Sequence, residues 1–308
     1  MLESSLEGEQ VENSTSRSGA RSIPNQLIVG LILIAFWWPV SWLEIRPLSD
    51  FYYFPLWLGY ILTMDGIVEW RTGSSAWRRS RTTFLLLFPM SAVLWWIFEG
   101  LNEFLQNWYY VHPEDTGTWY YIITSTLSFA TVIPAVIGTV ELFASFRIGE
   151  RIPGLGRWEF GSSGLVRFQI AGVLMLILIA LFPRYAFALV WLALFIVIEP
   201  VNQRLGQRSL WQYARENNWG PIYNVMLATT FTGFFWEMWN VYSNPKWFYD
   251  VPFVHVLQIF EMPALGYFGY MPFGLEVISF TALFIWFFGH KPQRYMRITM
   301  DEPVQEGS

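Results

Sequence analysis

The sequence predicts an all-α integral membrane protein with about eight transmembrane helices in two parallel four-helix repeats. Three observations predict this class. The chain of 308 residues is 54% hydrophobic and only 14% charged, whereas soluble domains carry roughly a quarter charged residues. Several apolar stretches are long enough to cross a hydrocarbon layer, which takes roughly 20 residues of helix. Similar blocks of residues also recur, in the same order, in the two halves of the chain.

The apolar stretches give the positions of the predicted spans along the chain. Segment ends are rich in aromatic residues, as expected at bilayer interfaces. The segment Phe253–Met262 lies between two prolines and is too short to cross, so we predict an interfacial or re-entrant half-helix before the last span. The eight predicted spans are residues 26–44, 52–70, 84–107, 122–145, 166–183, 185–201, 221–241 and 271–289.

An internal repeat is visible in four blocks. Leu31–Ala35 reads the same as Leu176–Ala180, and each copy lies in an apolar stretch that ends at a proline. This ordered recurrence predicts a tandem duplication that pairs carboxylates inside hydrophobic segments. The other blocks pair Asp65 with Glu199, Arg71–Gly73 with Arg204–Gly206, and Glu99–Asn102 plus Trp108–Tyr110 with Glu237–Asn240 plus Trp247–Tyr249.

Basic residues set the expected orientation. Most arginines fall in the joins after the second, fourth and sixth spans and near the two ends of the chain. The positive-inside rule therefore predicts that both termini are cytoplasmic, in a protein of the plasma (inner) membrane. Repeats with an even number of spans share one orientation, with a pseudo-two-fold axis along the membrane normal. The predicted domains are a disordered tail at 1–22, a first repeat at 23–150, a cytoplasmic linker at 151–165, a second repeat at 166–290 and a cytoplasmic tail at 291–308.

Two Glu-x-x-Asn turns are the main candidates for chemistry. Glu99 and Asn102, like Glu237 and Asn240, are one helical turn apart and so face the same way. We expect both pairs to look into one cavity on the pseudo-two-fold axis. A carboxyl there can serve as a proton-donating acid, a proton relay or an oxygen ligand for a hard cation. The alternative is that these side chains only hold helices together.

A second pair of acids lies near the predicted cytoplasmic ends of spans. Asp65 and Glu199 correspond in the repeat, and each has an arginine nearby, Arg71 or Arg204. An acid next to an arginine at a helix end is usually part of a structural ion pair. We therefore expect this pair to be structural.

Three further acids lie close to prolines. Glu141 and Glu276 follow prolines within predicted spans, and Glu261 comes just before Pro263. Proline breaks in spanning helices often mark binding sites. We therefore add Glu261 and Glu276 to Glu237 as site candidates. The alternative is a helix kink with a carboxyl that binds water.

Several kinds of chemistry are excluded by missing residues. The chain has no cysteine, which excludes disulfides, thiolate catalysis and thiolate metal sites. The lysines, Lys246 and Lys291, lie outside the predicted helix cores, so a buried Schiff base is excluded. The three histidines have no metal-binding spacing, which excludes a histidine-rich di-iron site or a helical zinc protease. We expect no metal, no cofactor and no nucleic-acid partner, and the oligomeric state stays open.

The last two predicted spans carry a pattern known from one enzyme family. Phe235–Glu237, then the aromatic Trp247–Tyr249, then Pro272–Phe280 resemble the small membrane-embedded lycopene cyclases. Those enzymes are built from duplicated helical units and need no metal, because carboxylic acids protonate the polyene. The resemblance implies that Glu237 and Glu276 are the acids, with Glu99 and Glu141 as counterparts in the first half. Glu276 stands alone where that family has a pair of glutamates.

Two classes of function follow from these residues. The first is an enzyme of the cyclase or isomerase type that acts on an apolar lipid or isoprenoid through carboxylic acid proton transfer. Its aromatic side chains would shield carbocation character by cation–π attraction. The second is a proton- or cation-coupled small-molecule transporter, or a lipid-binding membrane scaffold. An enzyme predicts a mainly apolar pocket that opens to lipid, whereas a carrier predicts a polar path to both faces.

Overall fold

The computed structural model describes residues 22–111, 117–159, 161–207, 209–254 and 256–300, and these are mostly helical. Four short strands form two antiparallel pairs: β1 (Trp108–Val111) with β2 (Lys246–Tyr249), and β3 (Gln258–Ile259) with β4 (Met262–Pro263). The helices are α1 (Asn25–Trp42), α2 (Tyr53–Thr72), α3 (Ala76–Arg79), α4 (Arg81–Leu105), α5 (Thr118–Phe129), α6 (Val132–Ser145), α7 (Ser162–Leu181), α8 (Pro183–Ala186), α9 (Ala193–Arg204), α10 (Leu210–Arg215), α11 (Gly220–Asn240), α12 (Tyr270–Phe287) and α13 (Pro292–Tyr295).

The predicted class of helical membrane protein is confirmed. Among the described residues, five helical stretches are long and apolar enough to cross a membrane, and a bent pair around Leu192 makes six. The five are α1, α4, the α5–α6 stretch, α7, and α12 with the 3₁₀ helix before it. Helices α2 and α11 occupy two other predicted positions, but buried polar side chains lower their hydropathy. The count of eight spans therefore stays a prediction.

Helices α1 and α7 lie at the periphery, and each packs on one inner helix. Only 22% of α1 and 17% of α7 is buried within the protein, so their apolar outer faces are free to contact lipid. A methyl group at Gly30 would lie 2.7 Å from the carbonyl oxygen of Gly59, and one at Gly172 would lie 3.2 Å from that of Ala193. Close packing of α1 on α2, and of α7 on α9, therefore requires glycine.

The packing glycines do not follow the identical pentapeptides. Leu31–Ala35 begins directly after Gly30, whereas Leu176–Ala180 begins four positions after Gly172. When α1 and α7 are aligned by these two packing glycines, the identical pentapeptides are offset by three residues, close to one helical turn. An alignment of α1 and α7 by the identical pentapeptides therefore pairs different residues from an alignment by the packing glycines.

The predicted half-helix at Phe253–Met262 is wrong. The described part of this segment holds β3 and β4, with Gln258 opposite Pro263. Phe253 and Phe260 have φ angles of 66° and 58°, and this left-handed conformation interrupts a right-handed helix. A 3₁₀ helix begins only at Ala264 and leads into α12.

Two predicted spans are interrupted, and two prolines lie just after helix boundaries. The predicted span 122–145 divides into α5 and α6, and the predicted span 185–201 bends by 41° at Leu192. Pro134 and Pro272 lie in the first turns of α6 and α12, where a missing N–H breaks no helical hydrogen bond. Each proline therefore lies at the start of the helix that carries Glu141 or Glu276, rather than at a kink within that helix.

The chain after α12 packs on the bundle over its described part. Tyr295, Met296 and Ile298 are buried, and Arg79 donates hydrogen bonds of 2.6 and 3.1 Å to the carbonyl oxygen of Tyr295. Arg79 also forms a two-pronged ion pair with Glu141, with N–O distances of 2.6 and 2.8 Å. The predicted tail 291–308 is therefore a packed segment up to residue 300, and residues 301–308 and 1–21 lie outside the described residues. We call the end of the bundle that holds Arg79, Glu141 and the Tyr295 segment the arginine end.

Candidate functional site

A cavity of about 470 Å³ lies at the opposite end of the bundle, where α4 and α11 end and β1 pairs with β2. Its volume falls within the range of roughly 300–1,000 Å³ that small-molecule sites occupy. Most of its wall is aromatic, and its charged wall residues are Asp50 and Lys246. The aromatic wall includes Trp37, Tyr53, Trp95, Trp108, Tyr110, Phe129, Trp191, Trp236, Trp247, Tyr249, Tyr270 and Phe273.

The β1–β2 ribbon carries the two Trp-x-Tyr blocks, and each block is tied to an asparagine. The Nδ2 atom of Asn102 donates to the Trp108 carbonyl at 2.7 Å, and its Oδ1 accepts from the Asn107 N–H at 2.9 Å. Asn240 makes the same kind of clamp on Trp247, at 2.8 and 2.9 Å. The two amides bind backbone at the strands and not the glutamate one turn earlier.

Glu99 accepts three hydrogen bonds on one oxygen. Its Oε1 accepts from the Tyr110 hydroxyl at 2.7 Å, from Trp95 Nε1 at 2.8 Å and from Trp108 Nε1 at 3.0 Å. The three donor side chains all belong to the cavity wall. The carboxyl is therefore held directly behind the aromatic lining.

Glu237 is completely buried, with an exposed fraction of 0%. Its Oε1 accepts from the hydroxyls of Tyr249 and Tyr270, both at 2.6 Å. Its Oε2 is buried and has no hydrogen-bond partner among the described residues. No described basic side chain forms an ion pair with it, and burying an unpaired charge is costly. Such a site accommodates the neutral carboxylic acid.

The two glutamates stand behind phenols that face a common cavity. Tyr110, Tyr249 and Tyr270 belong to the cavity wall, whereas the described wall does not include Glu99 or Glu237. The expectation that both carboxyls line the cavity is therefore wrong, because neither glutamate belongs to the described wall. A ligand in the cavity would contact these tyrosines rather than the carboxyls. The recurrence of Trp-x-Tyr after each Glu-x-x-Asn turn is the sequence signal for Tyr110 and Tyr249.

Glu276 caps a helix and lies apart from the described cavity wall. It is completely buried, and its Oε1 accepts from the Leu194 N–H at 2.9 Å. Leu194 is in the first turn of α9, directly after the bend at Leu192. The carboxyl thereby satisfies one of the N–H groups that a helix start leaves without a partner. This contact gives Glu276 a structural role.

Glu261 forms an ion pair near the cavity. Its Oε1 lies 2.7 Å from the Nζ atom of Lys246, and both side chains are about one-fifth exposed. Lys246 belongs to the cavity wall, and Glu261 is in the turn between β3 and β4. Partly exposed pairs of this kind contribute at most about 1 kcal/mol to stability. The pair links the β3–β4 hairpin to β2.

The acids near the arginine end bind the turns that follow their helices. Asp65 accepts from the Trp77 N–H at 3.0 Å, and Glu199 accepts from the Trp211 N–H at 3.1 Å. Glu199 also accepts from the Ser279 hydroxyl at 2.7 Å. Both carboxyls thus hold the backbone of the next short helix, and neither belongs to the described cavity wall.

No known protein family, curated protein or solved structure matches this chain. Within the part of the chain that the structure describes, no group of three His, Asp or Glu side chains is placed to hold a metal ion.

Proposed function

We propose that this protein is a membrane-embedded isomerase or cyclase of an unsaturated apolar lipid, of the isoprenoid or carotenoid type. One observation carries the proposal. Tyr110 and Tyr249 line one aromatic cavity, and each donates its hydroxyl hydrogen to a glutamate behind it. A phenol that contacts substrate and a carboxyl that exchanges protons with it form a short proton relay.

The two relays have complementary tasks. Tyr249 turns its hydroxyl from Glu237 to the substrate and gives its proton to one carbon of a double bond, while the O–H of the neutral acid Glu237 donates to the phenol oxygen and replaces that proton. The resulting carbocation loses a proton from a neighbouring carbon to Tyr110, whose own proton passes to Glu99. The product is an isomer of the substrate, so no oxidant or reductant is consumed. Proton exchange with solvent after the product leaves returns Glu99 to the carboxylate and Glu237 to the acid.

The aromatic wall supports a cationic intermediate. Trp236, Trp247 and Trp108 belong to the wall beside the phenols, and the face of an indole ring attracts positive charge within about 6 Å. Each such contact contributes about 0.5–2 kcal/mol, with the larger values where water is excluded. An aromatic lining is therefore suited to a carbocation that would react with water in an open site.

We also infer that the two halves arose by duplication of a four-helix unit. Matching contacts support this: Asn102 and Asn240 clamp the following strand, and a tyrosine two residues after each clamped tryptophan binds the preceding glutamate. The halves differ at the acids. Glu237 has a second phenol donor, Tyr270, where Glu99 has two indole donors. This difference supports separate roles as acid and base.

A proton- or cation-coupled carrier, or a lipid-binding scaffold, is the alternative. A carrier needs a polar path that reaches both faces, but the described cavity wall is mainly aromatic and lies at one end of the bundle. The opposite end holds the buried pair of Arg79 and Glu141, with the Tyr295 segment packed on it. These features favour the enzyme.

The function is tested by comparing lipids from cells that carry the wild-type protein or Tyr249→Phe, grown in heavy water. The wild type should yield an unsaturated lipid isomer with solvent deuterium at a carbon, and the variant should not, because phenylalanine has no proton to transfer. Mass spectrometry of the extracts measures both. Glu103→Gln, at an exposed site on α4 outside the described cavity wall, is the control. Identical lipids with and without the wild-type protein would reject the proposal.

The proposed orientation places the arginine end in the cytoplasm, with both termini. The native chain has no cysteine, so single cysteines report sidedness directly. A membrane-impermeant maleimide should label Glu103→Cys in intact cells, and should label Arg151→Cys only after lysis. Both positions are exposed, at opposite ends of the bundle. Labelling of Arg151→Cys in intact cells would reverse the orientation.

A further inference from the structure

The cavity mouth carries a carboxylate that the proposed proton transfers do not use. Asp50 lies in a 3₁₀ helix, Leu48–Phe51, just before α2, and belongs to the cavity wall. Its Oδ1 atom is buried and accepts no hydrogen bond from any described residue. A buried acceptor without a donor costs free energy. Asp50 as a residue is partly exposed and belongs to the wall, so a ligand in the cavity can bring a donor to its carboxylate.

Asp50 lies at an opening that faces the side of the bundle. Phe51, Tyr120 and Leu127 belong to the cavity wall and are 54%, 37% and 47% exposed. The rings of Phe51 and Tyr120 are 6.2 Å apart, so the start of α2 and the start of α5 form the two edges. Leu127 and the neighbouring Ile123 expose apolar surface on a stretch that is long enough to span the membrane. An apolar chain can therefore enter from lipid past Asp50.

The other charged wall residue is already engaged. Lys246 is paired with Glu261 at 2.7 Å, and its ammonium group lies 4.4 Å from the centre of the Phe248 ring. Asp50 has no such partner among the described residues. The unsatisfied group at the mouth is therefore an acceptor with negative charge, which disfavours a carboxylate or phosphate head.

We propose that the lipid taken into this cavity has a head group that donates a hydrogen bond, a hydroxyl or an amine, and that this head binds Asp50 while the chain lies among the aromatic side chains. The inference rests on the proposed function, because it names the class of substrate for the same cavity. A pure hydrocarbon would bring no donor to the Asp50 carboxylate.

Binding of three probes with one chain tests the proposal: farnesol, farnesylamine and farnesoic acid. Affinity is measured on the purified full-length protein in detergent by tryptophan fluorescence. The alcohol and the amine should bind, and the acid should bind at least about tenfold more weakly, since a hydrogen bond to a charged group is replaced by repulsion. Asp50→Ala should weaken the alcohol and the amine by about tenfold or more.

Asp50→Asn distinguishes binding of a hydroxyl head group from binding of an amine head group. Asparagine keeps an acceptor oxygen but no charge, so the alcohol should still bind and the amine should bind more weakly. Glu103→Gln should leave all three affinities unchanged. Unchanged alcohol affinity in Asp50→Ala, or an acid that binds as well as the alcohol, would overturn the proposal. If gel filtration shows that Asp50→Ala is not folded, Asp50→Asn provides the test. An unchanged amine affinity in Asp50→Asn would then overturn the proposal.

The binding test is independent of turnover. Tyr249→Phe should abolish deuterium incorporation but leave Asp50-dependent binding of farnesol intact. Binding that depends on Asp50 in a protein that incorporates no deuterium would reject the proposed function alone. Turnover without any dependence of binding on Asp50 would reject the head-group inference alone.

Discussion

Glu237→Gln is expected to lower the rate of lipid isomerisation by about a hundredfold or more, the size of effect that general acid catalysis supplies. Glutamine keeps an oxygen that accepts from Tyr249 and Tyr270, so the buried site should stay intact. It cannot release a proton to the phenol, so the relay is interrupted. The measurement is the initial rate of deuterium incorporation per mole of purified, folded protein.

Two further variants locate this effect in the relay. Tyr249→Phe should show a similar loss, and the double variant of Glu237 and Tyr249 should be little worse than either single change, because both residues serve one proton transfer. Glu103→Gln should retain the wild-type rate. A Glu237→Gln protein with the wild-type rate would remove this carboxyl from the mechanism and favour the scaffold.

Arg79→Ala is expected to lower the free energy of unfolding by about 3–5 kcal/mol, because it leaves the carboxylate of Glu141 buried without its partner. The two side chains are only 8% and 2% exposed. The change also removes the hydrogen bonds to the Tyr295 carbonyl, so the segment after α12 should become sensitive to protease. Thermal unfolding in detergent and limited proteolysis measure the two effects.

The neighbouring residue provides a matched control. Arg78 pairs with Glu69 at 2.8 Å, but its side chain is 64% exposed, and exposed pairs contribute about 0–1 kcal/mol. Arg78→Ala should therefore shift unfolding much less than Arg79→Ala. Equal shifts for both variants would show that burial does not set the strength of the Arg79–Glu141 pair.

Several local features could be predicted from residue type and spacing alone. Long apolar stretches predicted helices, since a helix satisfies its own backbone and the side chains decide whether it tolerates lipid. The recurring Glu-x-x-Asn and Trp-x-Tyr blocks pointed to Glu99 and Glu237. Both glutamates lie directly behind the cavity wall, because each block forms the end of a helix and the strand after it.

Other features depended on contacts between distant residues. The half-helix prediction at Phe253–Met262 failed because apolar content does not reveal a left-handed φ angle. Glu276 looked like a partner for Glu237, but it binds Leu194, 82 positions away in the chain. A single acidic residue in an apolar segment does not show which helix end or tyrosine its carboxyl will contact in the folded protein.

The sequence by itself determined the membrane-embedded helical class and pointed to Glu99 and Glu237, because hydrophobicity and residue spacing are local properties. Only the tertiary structure decided that phenols stand between the glutamates and the cavity. The antiparallel pairing of β1 with β2 brings Tyr110 opposite Trp247, and α12 brings Tyr270 to Glu237 across 33 positions. Such hydrogen bonds depend on how strands and helices from separate parts of the chain pack together, and no residue pattern within one segment specifies that packing.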